Sequence, residues 1–272
     1  MDDIIIVPGK SEGRYWREVW RYRELFYFLA WRDILVRYKQ TVLGVTWALL
    51  QPLITMLILT VVFGRLAHLP SGGVPYPILV LSALLPWQLV SQAIGSAGNS
   101  LVGNVSLVSK LYFPRLIIPA SAVITSIVDM AVSAGLLGFL IIFFRFRPGW
   151  EIVTLPLFLA LAVTVAFALG TWLAALTVRY RDFRYIVPFM TQAGLYISPV
   201  GFSSAVVPSK WRLVYSLNPM VAVIDGFRWA ITGRRVELYL PGLLLGTLST
   251  ILLLYAAIRY FRSTERTFAD TI

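Results

Sequence analysis

Few residues in this chain have the type and spacing that chemistry requires, and those few fall short. Gly9-Lys10-Ser11 has the ending of a phosphate-binding loop. That loop needs a second glycine five residues before Gly9, and position 4 is Ile4, with no strand before it. Nothing else in the chain reads as binding and hydrolysing a nucleotide. There are no cysteines, so disulfides and thiolate metal sites are excluded, and a lone His68 excludes a multi-histidine site. Neither a Gly-x-Ser-x-Gly nor a His-Glu-x-x-His pattern occurs, and acids do not cluster. Arg234, Arg235 and Glu237 are the nearest approach to a catalytic loop. Asp129 is the one carboxylate inside a long apolar run, which makes it a functional candidate. Without a basic or histidine partner in the spans it makes a poor proton relay. A structural carboxylate, bonded to a neighbouring helix or sitting in an aqueous cavity, is the simpler reading.

The elements that position these residues are membrane helices. Of the 272 residues, 58% are hydrophobic and only 14% charged, with a mean hydropathy of +0.76. Soluble domains carry about 25% charged residues. A hydrocarbon core of ~30 Å takes about 20 apolar residues as helix. Runs of that kind predict six spans, at Val42–Phe63, Pro77–Gly98, Leu116–Phe144, Ile152–Val178, Tyr185–Phe202 and Leu240–Phe261. The fifth is short and interrupted by Pro188 and Pro199. Pro52 and Pro86 also interrupt spans, as kinks or as packing features. Asp2 and Asp3 stand where the basic start of a cleavable signal would be.

The formal charge of +11 sets topology rather than marking a nucleic-acid partner. Lys and Arg crowd the segment before the first span, the loop with Lys110 and Arg115, the loop Arg179–Arg184 and the tail after Arg259. Only Arg65, Arg145 and Arg147 lie in the short loops of the other side. Both termini are therefore expected in the cytoplasm. Residues 1–40 read as a cytoplasmic N-terminal segment and 41–272 as a single membrane domain.

Within the first segment, Tyr15–Gln40 reads as a helix in the cytoplasmic interface. Leu25, Phe28, Trp31, Leu35 and Tyr38 follow helical spacing, with Arg23, Asp33, Arg37 and Gln40 opposite. Phe26 and Ile34 break the stripe. Such a helix is either a lipid-surface anchor or a shelf for a cytoplasmic partner. Between spans five and six, Trp211–Leu217 and Met220–Ile231 are apolar but too short to cross, and Asn218-Pro219 between them signals a turn and a helix start. They predict either a re-entrant helical hairpin in the outer leaflet or an amphipathic hairpin on the surface.

Aromatics are 14% of the chain. Trp47, Trp87, Trp150, Trp172, Trp211 and Trp229 fit an ordinary interfacial belt. The alternative is stacking on sugar rings, with Trp87, Tyr196, Phe202, Tyr215 and Phe227 as outer-pathway candidates. The inner loop from Leu107 predicts a short helix ended by Pro114 and flanked by Lys110 and Arg115. It and the basic loop Arg179–Arg184 are either plain positive-inside signals or partner contacts.

These stretches, in this order, resemble the membrane subunit of type-2 ABC exporters, in the branch that exports bacterial polysaccharides such as O-antigen. The likeness rests on Arg32–Pro52, Leu85-Pro86-Trp87, Leu111-Tyr112-Phe113-Pro114-Arg115, Arg179–Asp182, Ser198-Pro199, Leu217-Asn218-Pro219 and Phe227-Arg228-Trp229. It implies an all-α, six-span membrane fold with an interface helix and a re-entrant periplasmic hairpin. It implies a non-catalytic homodimer working with two separate nucleotide-binding subunits, which bind the ATP and Mg. Lys110, Leu111, Tyr112, Phe113, Pro114 and Arg115, with Arg32 and Asp33, would match the contacts with those subunits. The cargo implied is an undecaprenyl-pyrophosphate-linked glycan moving from cytoplasm to periplasm across the inner membrane. Arg32, Arg37 and Lys39 would then offer positive charge to the lipid pyrophosphate. Teichoic acid, capsule, lipid and drug exporters share the fold, and a membrane enzyme of glycan assembly is the reading from a different class.

Overall fold

A computed structural model of the chain describes residues 12–39 and 44–268. Gly9-Lys10-Ser11, Gln40 and the first residues of the first predicted span lie outside the described residues. The described chain is helical, without strands. Its helices are α1 (Glu12–Arg21), α2 (Arg23–Lys39), α3 (Gly44–Leu59), α4 (Tyr76–Gly103), α5 (Val105–Lys110), α6 (Ile117–Phe143), α7 (Leu155–Arg179), α8 (Phe183–Ile197), α9 (Ser209–Tyr215), α10 (Pro219–Thr232) and α11 (Leu240–Thr264).

Five stretches are long and apolar enough to cross a membrane: Thr46–Leu66, Tyr76–Gly103, Ile117–Phe143, Trp150–Arg179 and Leu240–Thr267. The fifth predicted span, Tyr185–Phe202, does not form one such helix. The 15-residue α8 is about 22 Å long at 1.5 Å per residue, short of ~30 Å. Pro199 ends it: the residue before a proline is pushed out of the helical region, and Ser198 has φ −84° and ψ 153°. Pro52, Pro86 and Pro188 are accommodated inside α3, α4 and α8.

Helix α4 is the hub. In its most apolar stretch 83% of residues are buried, against 17% for the first span, so α4 faces protein while the others keep a face outward. It packs chiefly on α6 and α7. The α4–α7 contact is close because Gly170 has no side chain: a Cβ there would sit 2.8 Å from the Cβ of Ala97. Small residues that let backbones approach are the main device of helix packing in lipid. Gly170→Leu should therefore wedge the two helices apart and cost about 1–3 kcal/mol or more. The check is the melting temperature of the detergent-purified chain, and an unchanged value would contradict this packing.

At one end of the bundle, here the near end, Leu101 of α4, Ile117 of α6, Ala174 and Val178 of α7, and Phe261 of α11 share a core with Tyr15, Leu29, Phe113 and Phe268. At the far end the loops between the other helix termini meet. Gly72 approaches the Arg235 carbonyl, and the Arg235 guanidinium lies 4.6 Å from the Phe146 ring. Helices α7 and α11 thus both finish at the near end and run the same way. The chain between them, residues 180–239, must travel from the near end to the far end.

That journey uses α8, an irregular stretch and then α9 and α10. Asn218 starts α10 by accepting the Met220 N–H at 3.0 Å, with Pro219 in the first turn, and Gly233 ends it at φ +66°. All residues of α10 except Pro219 and Trp229 are buried, against α4, α7 and α11. A surface hairpin is excluded for α10. Helix α9 is its opposite: none of its residues is buried, and Trp211, Leu213 and Val214 are exposed.

Candidate functional site

The far end holds a buried polar centre built on α10. Arg228 is fully buried. Its guanidinium donates to three carbonyls: Val200 at 2.7 Å, Phe202 at 2.6 Å and Leu79 at 3.2 Å. Val200 and Phe202 lie in the irregular stretch that follows α8, where backbone groups have lost their helical partners. Unpaired carbonyls at that depth are costly, and one five-donor side chain pairs both. One turn earlier, Asp225 accepts from the Ser204 hydroxyl at 2.6 Å. Its other oxygen and the Nε and Nη2 of Arg212 are buried with no hydrogen-bond partner in the protein. A cavity of about 10 Å³ beside Asp225, lined also by Ser216 and Tyr239, has room for about one water. The Arg212 guanidinium itself stacks 4.4 Å from the Tyr239 ring. Asp225 is absent from the sequence motifs, and Arg228 enters them only within Phe227-Arg228-Trp229. The available signal was two opposite charges at i, i+3 inside a helix otherwise apolar all round.

The five aromatics expected along an outer pathway do not form one wall. Phe227 is 1% exposed and belongs to the core, so its ring has no face left for a sugar. Trp87 is 9% exposed, and its ring lies where a Cβ of Gly194 would be, locking α4 to α8. Both are packing residues, because the faces of α4 and α10 that carry them point into the bundle. The other three gather around the far end of α8. Tyr215 donates to the Ile197 carbonyl at 2.8 Å, Tyr196 is exposed, and half-buried Phe202 lies 6.3 Å from Phe63.

At the near end the expected partner loop divides into anchors and exposed tips. Helix α5 stops at Lys110, four residues before the expected end at Pro114. Leu111 is already extended, and the residue before Pro114 is biased the same way. Phe113 and Pro114 are buried, with Phe113 in the near-end core; Lys110, Leu111 and Tyr112 are exposed. The Arg115 N–H donates to Glu265 Oε1 at 2.7 Å, and its guanidinium bonds the Glu265 carbonyl. Tyr22, between α1 and α2, donates to the Tyr112 carbonyl at 3.2 Å. Arg32 holds Asp33 at 2.8 Å and Asn104, at the start of α5, at 3.1 Å. The loop is therefore tied to the N-terminal helices and to the C-terminal tail.

Helix α2 divides its apolar stripe: Leu25 packs on the near-end core and Tyr38 bonds Asp129, while the middle faces outward as on a lipid-surface anchor. Phe28, Trp31 and Leu35 are exposed, while Leu29 and Ala30 are buried and Phe26, Asp33 and Ile34 are half-buried. The face that looked polar, with Asp33 and Arg37, carries the bonds to the bundle, because polar partners wait there. Asp129 is bonded to a neighbouring helix that lies outside the spans: Arg37 Nη2 is 2.8 Å from Asp129 Oδ2, an ion pair in distance but off-axis for a hydrogen bond. Tyr38 donates to Oδ1 of the same carboxylate. Burial, and then that bond, hold the Tyr38 hydroxyl well above the ordinary phenol range, so it remains the donor. Of the three cations expected at a lipid pyrophosphate, Arg37 is thus committed to Asp129. Arg32 and Lys39 share a shallow groove of about 270 Å³ with Phe28, Trp31, Leu35 and Val36.

Comparison with known proteins gives a consistent picture. A family model described as ABC-2 type transporter matches residues 24–232. The chain is 28% identical to an O-antigen export system permease protein, RfbA, of Myxococcus xanthus over 260 residues, covering 94% of this chain and 98% of that protein. It is 24% identical to an O-antigen export system permease protein of Klebsiella pneumoniae, over 78% of this chain and 79% of that one. It is also 24% identical to the polysialic acid transport protein KpsM of Escherichia coli, over 86% of this chain and 91% of that one.

Proposed function

The chain belongs to the ABC-2 type transporter family, and from that premise we propose that it is the membrane subunit of an ATP-driven exporter of a lipid-linked polysaccharide of the O-antigen type. The observation that carries this is the match, end to end, to a protein named as an O-antigen export permease. The transport role is a subunit's role: the chemistry of ATP belongs to a separate nucleotide-binding partner, two copies of which would serve a homodimer of this chain. The cargo is an undecaprenyl-pyrophosphate-linked glycan, taken from cytoplasm to periplasm across the inner membrane.

The geometry supports a six-crossing topology with Tyr15 and Phe268 at one end of the bundle, and the distribution of Lys and Arg makes that end cytoplasmic. Parallel α7 and α11 fit one further crossing by residues 180–239. Helix α8 and the irregular stretch after it make that crossing, with Arg228 pairing the freed carbonyls. Helices α9 and α10 are then the re-entrant hairpin, with α10 as its fixed arm. At the near end Lys110, Leu111 and Tyr112 are the contact for the partner ATPase, backed by Phe113 and Pro114. Lys39, on an aromatic and apolar groove with Arg32 beside it on Asp33, fits a phosphate group attached to a lipid.

The test is transport into sealed inverted vesicles containing this chain and its nucleotide-binding partner. Lipid-linked glycan should enter only with ATP, at least about tenfold above the rate with an ATPase-dead partner, a gap of about 1.4 kcal/mol or more in barrier terms. ATP-independent movement would point to a passive channel and overturn the proposal. Assembly without glycan movement would shift the cargo to a lipid or drug.

A further inference from the structure

The buried carboxylate of Asp129 has no part in the reading above. It lies about three turns into α6, counted at 3.6 residues per turn, and is 4% exposed. A charged group at that depth is held only where partners neutralise it. Its partners come from outside its own helix. Arg37 Nη2 is 2.8 Å from Oδ2, and Tyr38 Oη donates to Oδ1. The same Arg37 Nη2 lies 3.4 Å from Gln92 Oε1 of α4. One turn further along α6, the Ser133 hydroxyl lies 3.0 Å from the Asp129 carbonyl and 3.2 Å from the Ala48 carbonyl of α3. Three helices, α2, α4 and α6, therefore meet around the Asp129 carboxylate, and α3 is joined to α6 one turn on through Ser133.

The other end of α2 is equally placed. Tyr22, just before it, bonds the carbonyl of Tyr112 in the exposed near-end loop, and Arg32 midway bonds Asn104 at the start of α5. Helix α2 is thus a strut of about 25 Å at 1.5 Å per residue, with one end on that loop and the other on the Asp129 node. We propose that the Asp129–Arg37–Tyr38 node is a positioning device that fastens α2 to the span bundle, so that a displacement of the near-end loop moves α3 and α6 with it. The fastening itself follows from the node; its role in coupling rests on the ATP-driven transport proposed above. An ion pair suits the task. Its loss leaves a buried charge unpaired, which is strongly unfavourable, so the strut cannot lift away by small steps.

Two readouts separate the fastening from the transport reading. In the purified chain without partner, hydrogen exchange in α2 from Ala30 to Lys39 should be at least tenfold faster in Asp129→Leu than in wild type, with α4 and α10 still protected. Tyr38→Phe should give a smaller rise. The double variant Arg37→Met with Asp129→Leu should exchange as fast as Asp129→Leu alone, since the pair that fastens α2 is missing from both. In vesicles with the partner, Asp129→Leu should retain ATP hydrolysis within about twofold while glycan moved per ATP falls at least tenfold. If Asp129→Leu fails to fold, Asp129→Asn keeps a bond to Tyr38, removes the ion pair and is read the same way, with smaller changes in the same directions. Unchanged protection of α2, or hydrolysis and transport falling in equal proportion, would overturn the proposal. A wild-type complex that moves no glycan with ATP would sink the transport reading instead, and the exchange comparison would still decide the fastening.

Discussion

Arg228→Met should destabilise the folded chain by several kcal/mol. The carbonyls of Val200 and Phe202 lose their donor at once, while that of Leu79 keeps the Ser82 hydroxyl at 2.9 Å. An unsatisfied buried polar group costs about 1–3 kcal/mol, so the total is several kcal/mol against a typical stability of about 5–15. Methionine fills most of the volume, so the loss is of hydrogen bonds and not of packing. Arg228→Lys should fall between, because a compact ammonium on a flexible stem cannot reach three diverging carbonyls as a planar fork can. Asp225→Asn keeps the bond to Ser204 and should be much milder. The measurement is melting temperature in detergent, with monodisperse yield beside it. A fall of roughly 10 °C or more is expected for methionine, at about 2–4 °C per kcal/mol for a chain of this size. A change of no more than a few degrees would mean that the irregular stretch after α8 does not depend on this side chain.

Leu111→Asp combined with Tyr112→Ala should abolish stable assembly with the nucleotide-binding partner while leaving the chain itself folded. Both side chains are more than half exposed, at 53% and 56%, beside the buried anchors Phe113 and Pro114. Exposed substitutions usually change stability by less than about 0.5 kcal/mol. Aromatic residues that fill a partner's pocket commonly cost about 2 kcal/mol or more when truncated, and a carboxylate placed in such a pocket adds desolvation. Two such losses weaken binding by roughly a hundredfold to a thousandfold, at tenfold per 1.4 kcal/mol. Co-purification and partner-dependent ATP hydrolysis are the readouts. Phe113→Ala should behave differently, lowering the melting temperature as well, because its ring belongs to the near-end core. Normal assembly of the double variant would move the partner contact elsewhere on the near end.

How much of this was legible in the chain can be judged residue by residue. Four of the six expected spans coincide with membrane-length helices to within a turn or two at each end, and the first does so over its described part. The Asn218-Pro219 start of α10 also stands. The fifth span was flagged by its two prolines, and Pro199 does end α8. The orientation of α2 was not legible. In lipid the outside of a bundle is as apolar as its inside, so an apolar stripe does not say which way a helix faces. Phe28, Trp31 and Leu35 point outward, as on a lipid-surface anchor, while Leu25 of the same stripe packs on the near-end core. Phe227 has the ring of an outer-pathway residue, and the ring is core.

The sequence by itself determined the class of protein, the places where it enters and leaves apolar surroundings, and the family to which it belongs. Those properties are written in runs of neighbouring residues, in proline and asparagine signals, and in the order of short motifs. Tertiary structure alone decided what each buried polar group is bonded to. Asp129 finds Tyr38 across 91 residues, and Arg228 finds the Leu79 carbonyl across 149. A buried charge must be paired wherever its partner lies, and that place depends on how distant helices pack.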